Sequence, residues 1–185
     1  AAGLQDAPAS LTGLIDLIPR RYEAPAAVAQ AELGSFDSRR VYAAHGNAGP
    51  AWSYGLSAQY RSTGGPPDRH AAADMAYARA STCVRPHARL QLQTYLYHLS
   101  GQRELARRTL PAGAPTGQSA AMLDPYRATL VGAAADLFVD ARTSVSVHAA
   151  YGDRRHTLLV EDGQPPAAAD VDDHELTLHV LAARQ

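Results

Sequence analysis

The chain has no lysine, a single cysteine and no long apolar run, and each shortage narrows what it can be. Cys83 alone excludes an internal disulfide. Without about 18 consecutive apolar residues no transmembrane helix is available, but a β-barrel, which crosses with short alternating segments, remains open. Basic residues are all Arg, and the 17 of them against 18 acidic residues leave a formal net charge of −1. No excess of one sign points to nucleic acid or to an anionic membrane surface. Ile15, Ile18, Phe36 and Phe138 are the whole supply of isoleucine and phenylalanine. Much of the 46% apolar fraction is alanine, whose burial removes little area from water, so a water-soluble core built from this inventory packs weakly. The opening Ala1-Ala2-Gly3 has neither Met nor a basic-then-apolar leader, which fits a removed signal or an internal segment.

What the chain does have is alternation. In 52–61, Trp52, Tyr54, Leu56, Ala58 and Tyr60 fall on one face and Ser53, Gly55, Ser57, Gln59 and Arg61 on the other. Successive strand side chains point to opposite faces, so this segment has one greasy and one wet surface, with its aromatics toward the two ends of the greasy one. The same pattern recurs in 75–84, 87–98, 143–151 and 174–182. In 87–98, Leu90, Leu92, Thr94 and Leu96 oppose Arg89, Gln91, Gln93, Tyr95 and Tyr97. Residues 27–33 alternate more weakly and also suit an Ala-rich helix, and 39–45 and 128–137 complete about eight segments. A short apolar strand over 11–21, ended by Pro19 and two arginines, precedes them.

Connections at 46–50, 85–87 and 139–142 are tight, while 62–74, 100–127 and 152–173 are long and rich in Gly, Pro, Ala and charge. Short turns on one side and long loops on the other characterise an outer-membrane barrel; a soluble sandwich lacks that regular asymmetry. The expected fold is therefore all-β, an antiparallel meander of about eight strands forming part of a transmembrane β-barrel.

Enzyme motifs are missing. There is no nucleophile elbow, phosphate-binding Gly-rich loop or zinc-spaced cysteine set. Ser119, in Gly117-Gln118-Ser119-Ala120-Ala121, lacks the second Gly of an elbow and reads as a loop serine. His174 and His179 approach a zinc-ligand spacing but, five apart on a strand, face opposite ways. His148 and His179 read as polar lumen residues and Cys83 as an inert wall residue. Asp170, Asp172, Asp173 and Glu175 carry hard oxygen ligands, but without the Gly and spacing of a calcium loop they read as a solvated loop. No cofactor, catalytic residue or metal site is expected, and the chain is not read as an enzyme.

Three stretches resemble TonB-dependent outer-membrane receptors, in the family's order. Residues 13–21, Gly-Leu-Ile-Asp-Leu-Ile-Pro-Arg-Arg, look like the plug-ending motif Gly-x-Ile-Asn-Ile-Ile-Thr-Lys/Arg-Arg, with Asp16 in place of Asn and Pro19 in place of Thr. Residues 33–40 are similar to the first barrel hairpin, with a Gly-Ser-aromatic tip at Gly34, Ser35 and Phe36, and 52–58 to the third strand. Residues 83–90 resemble the periplasmic turn between strands four and five, and Leu110-Pro111 falls where siderophore receptors place a ligand-facing loop. The resemblance implies that 1–22 is the C-terminal end of a plug domain and 23–185 the N-terminal portion of the β-barrel. It further implies the bacterial outer membrane as location, its lipid as surroundings, and energy-coupled uptake of a ferric siderophore or similar iron complex. Coupling to the TonB system would run through plug regions outside this sequence, so the segment is expected to be inactive in isolation. Arg103, Arg107 and Arg108, placed in the long 100–127 loop, and lumen-facing Tyr95 and Tyr97 are the candidate ligand-binding residues. Two other functions stand beside this one: a complete small eight-stranded outer-membrane barrel with a structural or adhesion role, and a soluble β-rich binding domain.

Overall fold

The computed structural model describes residues 22–66, 71–105, 120–161 and 167–184. These form eight strands: β1 (Ala26–Leu33), β2 (Arg39–Ala48), β3 (Trp52–Thr63), β4 (Ala73–His87), β5 (Leu90–Leu105), β6 (Ala120–Phe138), β7 (Thr143–Glu161) and β8 (Ala167–Arg184). Every neighbour pair is antiparallel, and the strands lie in one sheet in sequence order. The protein is an all-β meander, with no helix among the described residues. The sheet is open, because β1 pairs only with β2 and β8 only with β7. The helical alternative for 27–33 is excluded, since β1 pairs along its whole length with β2. The short segment expected at 11–21 lies outside the described residues.

Strand length grows across the sheet, from 8 residues in β1 to 19 in β6 and β7. Two expected loops shrink accordingly. The 100–127 connection reduces to 106–119 and the 152–173 connection to 162–166, because β5, β6, β7 and β8 continue where loops were expected. Hydropathy stops alternating there, in stretches such as Asp153-Arg154-Arg155-His156, but the backbone ladder continues: Arg154 pairs with Ala128 and Asp173, and Arg155 with Arg127 and Asp172. Pairing needs only N–H and C=O groups, and a ladder standing in water carries polar side chains on both faces. Arg103 is therefore a β5 residue rather than a loop residue, and Asp170, Asp172, Asp173 and Glu175 belong to β8 rather than to a solvated loop. The tight connections expected at 46–50 and 85–87 fall instead at 49–51 and 88–89, since β2 runs to Ala48 and β4 to His87, and that at 139–142 lies where expected. The last is held by Asp140, whose Oδ1 accepts from the Arg142 and Thr143 backbone N–H groups at 2.7 and 2.8 Å.

Register makes the alternation of each strand coherent across the sheet. Trp52, Val84, Leu92, Ala135, Val147 and Val180 form one cross-strand row, and Leu56, Ala80, Leu96, Val131, Tyr151 and Leu176 another on the same face. The opposite face carries Gln93, Ala134, His148 and His179 in one row, and Gln59, Tyr77, Leu99, Ala128, Arg154 and Asp173 in another. The apolar face is the exposed one, with Leu56 at 50% and Leu92 at 40%, while Gln91 on the polar face is 5% exposed. Ala44 and Met75 are the only buried apolar residues among those described, and no large side chain there is fully buried. The hydrophobic surface of this sheet is not spent on a core.

Small residues let the polar face close up. The Tyr95 ring lies over Gly132 on the neighbouring strand, in the space that a Cβ would occupy. Gly101, at φ 155°, brings the β5 backbone so close to the Asp74 carbonyl that no Cβ would fit.

Candidate functional site

Three arginines and a histidine converge on the polar face at the end of the sheet where the long connections lie. A concavity of about 570 Å³ is lined by Arg61, Arg103, Arg154 and His156, by Tyr77 and Tyr126, and by the apolar side chains of Met75, Leu99 and Leu123, with Thr63, Ala71 and Ala73 completing the wall. Five consecutive strands, β3 to β7, supply these groups. The register explains why they meet: Tyr126 pairs with Gly101 and with His156, Met75 pairs with Arg61 and with Gly101, and Arg103 lies between Ala73 and Leu123.

Two adjacent irregularities shape this end. Register shifts between Gly101 and Arg103 on β5 and between Leu123 and Tyr126 on β6. A bulge inserts an extra residue and re-aims the side chains beyond it. Here it sets Leu123, rather than Asp124, opposite both Arg103 and Leu158. Nearby Glu104 is engaged elsewhere, its Oε2 accepting from the Ala72 backbone N–H at 3.0 Å. Among the described residues the concavity is therefore lined by four nitrogen-bearing basic side chains and by no carboxylate.

The charge is only partly compensated. Arg154 is ion-paired to Asp173. Arg61 and Arg103 have no hydrogen-bond or ion-pair partner among the described residues. His156 packs its ring against Tyr126 at 5.8 Å between centroids, and its Nδ1 is shielded from solvent with no partner. Guanidinium groups present planar forks of donors and phenols add further hydroxyls, so the arrangement offers donors in excess of acceptors.

Of the residues expected to bind ligand, Arg103 lines this concavity. Tyr97 is on the same face, paired with Arg79 and Leu130, and borders two smaller depressions. Tyr95 is taken up by Gly132. Arg107 and Arg108 lie outside the described residues. Sequence reasoning missed Arg61, Tyr77, Tyr126, Arg154 and His156. Alternation already put Arg61 and Tyr77 on the wet faces of their strands, but only register brings them together. The signal for Arg154 and His156 was hidden where β7 was taken for a loop.

A second cluster, Asp153, Asp172 and His174, sits on the other face, with ligand atoms within 4.8 Å of one another. Arg155 Nε contacts Asp153 at 3.2 Å and Asp172 at 3.3 Å, so a fixed cation already occupies their shared side. His174 and His179 do face opposite ways, since His174 pairs with Asp153 and His179 with His148. Cys83 sits half-buried on the polar face between Ser53 and Gln93.

No protein-family model, curated protein or solved structure matches the chain.

Proposed function

We propose that this sheet is part of the wall of a larger outer-membrane β-barrel, a segment of a TonB-dependent receptor that takes up a ferric siderophore or a similar iron complex. One observation carries the membrane part: apolar side chains crowd the more exposed face and polar ones the less exposed face, the reverse of a water-soluble domain. A face bearing Trp52, Leu56, Leu92, Leu96, Val131, Val147, Leu176 and Leu178, each at least 39% exposed, suits lipid far better than water. The apolar alternation from Trp52 to Tyr60 and from Ala76 to Val84 has the length of a tilted membrane strand, about 9–11 residues.

The open edges support a larger barrel over a closed eight-stranded one. Unpaired strand edges are not tolerated in lipid, and β8 is far too long to be satisfied by β1. The receptor assignment rests on the ordered motifs in 13–21, 33–40 and 52–58, on unequal connections at the two ends, and on donor-rich side chains facing the lumen. In this reading the isolated segment transports nothing, because the plug and its energy-coupling partner act in the whole receptor. A soluble binding domain fits poorly, since Ala44 and Met75 make almost no core.

Trp52 is the only tryptophan, which makes it a built-in probe of the apolar face. In the full chain refolded in detergent, its fluorescence is expected to be quenched by a brominated detergent and protected from aqueous acrylamide. A monomer that folds in plain buffer, with Trp52 open to acrylamide, would end the membrane reading.

A further inference from the structure

We infer that the concavity formed by Arg61, Arg103, Arg154 and His156 is a binding site for a small polyanion, a molecule bearing two or more carboxylate or phosphate groups. The inference deepens the uptake reading above by naming the class of its cargo: an iron complex with anionic oxygen ligands at its surface, not a neutral one.

Four features point the same way. Among the described residues the lining holds three guanidinium groups and an imidazole but no carboxylate, in a chain whose net charge is −1. Like charges facing one hollow repel each other, and such clustering is stabilised when an anion fills it. Arg61 and Arg103 leave their donors without protein acceptors among the described residues, whereas Arg40 donates to Glu32 and Gln59 at 3.0 and 2.9 Å, and Arg155 contacts Asp153 and Asp172. The shielded Nδ1 of His156 lacks a partner, in a structure whose other buried side-chain polar atoms among the described residues are satisfied. Finally, the β6 bulge puts Leu123 in the row that Asp124 would otherwise enter, keeping acid out of the hollow.

Size and chemistry then define the ligand. About 570 Å³ is within the usual range of small-molecule sites, roughly 300–1,000 Å³. With Arg154 paired to Asp173, Arg61 on β3 and Arg103 on β5 offer two separate guanidinium forks with β4 between them, more than a single carboxylate fills. Guanidinium forks match carboxylate and phosphate oxygens two at a time. Tyr77, Tyr126 and Met75 give the hollow a partly apolar wall for the ligand's carbon skeleton.

The test uses the full chain refolded in detergent and four probes: citrate, ferric citrate, inorganic pyrophosphate and a neutral ferric trihydroxamate. Calorimetric titration at low salt is expected to detect citrate or its ferric complex, pyrophosphate, or both, with affinity falling as salt rises, and not to detect the trihydroxamate. Preference between citrate and pyrophosphate tells carboxylate from phosphate. Arg61→Gln and Arg103→Gln should each weaken binding about tenfold or more, the loss of one charge-assisted hydrogen bond. Arg142→Gln, an equal charge change in a turn at the opposite end, should leave affinity within about twofold. Should a variant not refold, the salt dependence of the unaltered chain still decides. Binding of the trihydroxamate alone overturns the polyanion assignment, as does a folded chain that binds none of the probes, and in both cases the membrane reading stands if Trp52 is quenched by brominated detergent. Polyanion binding by a chain folded in plain buffer keeps the site and removes the barrel.

Discussion

The two ends of the polar face are built on opposite principles. At the tight-turn end, Asp136 collects donors: Gln91 at 3.3 Å, Gln93 at 3.1 Å and Ser146 at 2.7 Å, with His148 at 3.9 Å. Arg85 in turn donates to Gln91 at 2.9 Å. Every strand from β4 to β7 contributes to this network, and its central carboxylate is 17% exposed. At the far end, from Ser146 to His156 along β7 and so roughly 33 Å away at strand rise, basic groups face a hollow with too few acceptors. One end is finished by its own side chains and the other is left for something else to finish. Polar residues on one face of a sheet thus do not share a role: those whose partners lie within the protein hold strands together, and those without mark a place for a ligand.

This contrast is open to direct attack. Asp136→Ala should be the most damaging change, leaving three donors without their acceptor and costing about 2–4 kcal/mol in detergent unfolding. Arg103→Ala, which breaks no hydrogen bond or ion pair among the described residues, should cost less than about 0.5 kcal/mol or stabilise slightly. Equal losses at the two sites would erase the distinction. Gly132→Ala comes next, since a methyl there displaces the Tyr95 ring; about 1–3 kcal/mol is expected from overpacking, read in the same unfolding curves. Tyr95→Ala combined with it should recover part of that loss by making room.

The smallest effect belongs to the turn that closes β6 on β7. Backbone N–H groups of Arg142 and then Thr143 hold the Asp140 carboxyl below its ordinary range. Because the folded value is the lower one, this stabilisation is present above the unfolded carboxylate range, about pH 4, and fades as pH falls through the folded value. Asp140→Asn should slightly lower stability at neutral pH and flatten the acid limb of a stability-versus-pH curve, leaving stability below the folded value nearly unchanged.

Sequence alone revealed strands wherever greasy and wet residues alternate. The 52–61 and 75–84 segments lie inside β3 and β4, and Leu90–Leu96 faces the way its period requires. It failed where alternation is between two kinds of polar residue. The extensions of β5, β6, β7 and β8 passed for loops, and Tyr126, Arg154 and His156 went with them. Arg103 was singled out for its charge but placed on a loop, and the side chains it meets span 95 residues of sequence, from Arg61 to His156. No periodicity carries that information, because cross-strand neighbours depend on where each hairpin turns and on bulges such as those at Gly101 and Leu123. Tyr95 taught a related lesson: an aromatic on the wet face can belong to a glycine.

The growth of the strands from β1 to β7 has a kinetic consequence. Since Arg61, Arg103 and Arg154 ride on hydrogen-bonded backbone, an arriving solute meets donors on a fixed frame, and only the side chains remain to be ordered on capture. Their combined field reaches about a Debye length into the medium, so encounter should be fastest in dilute salt and slow steadily as ions are added.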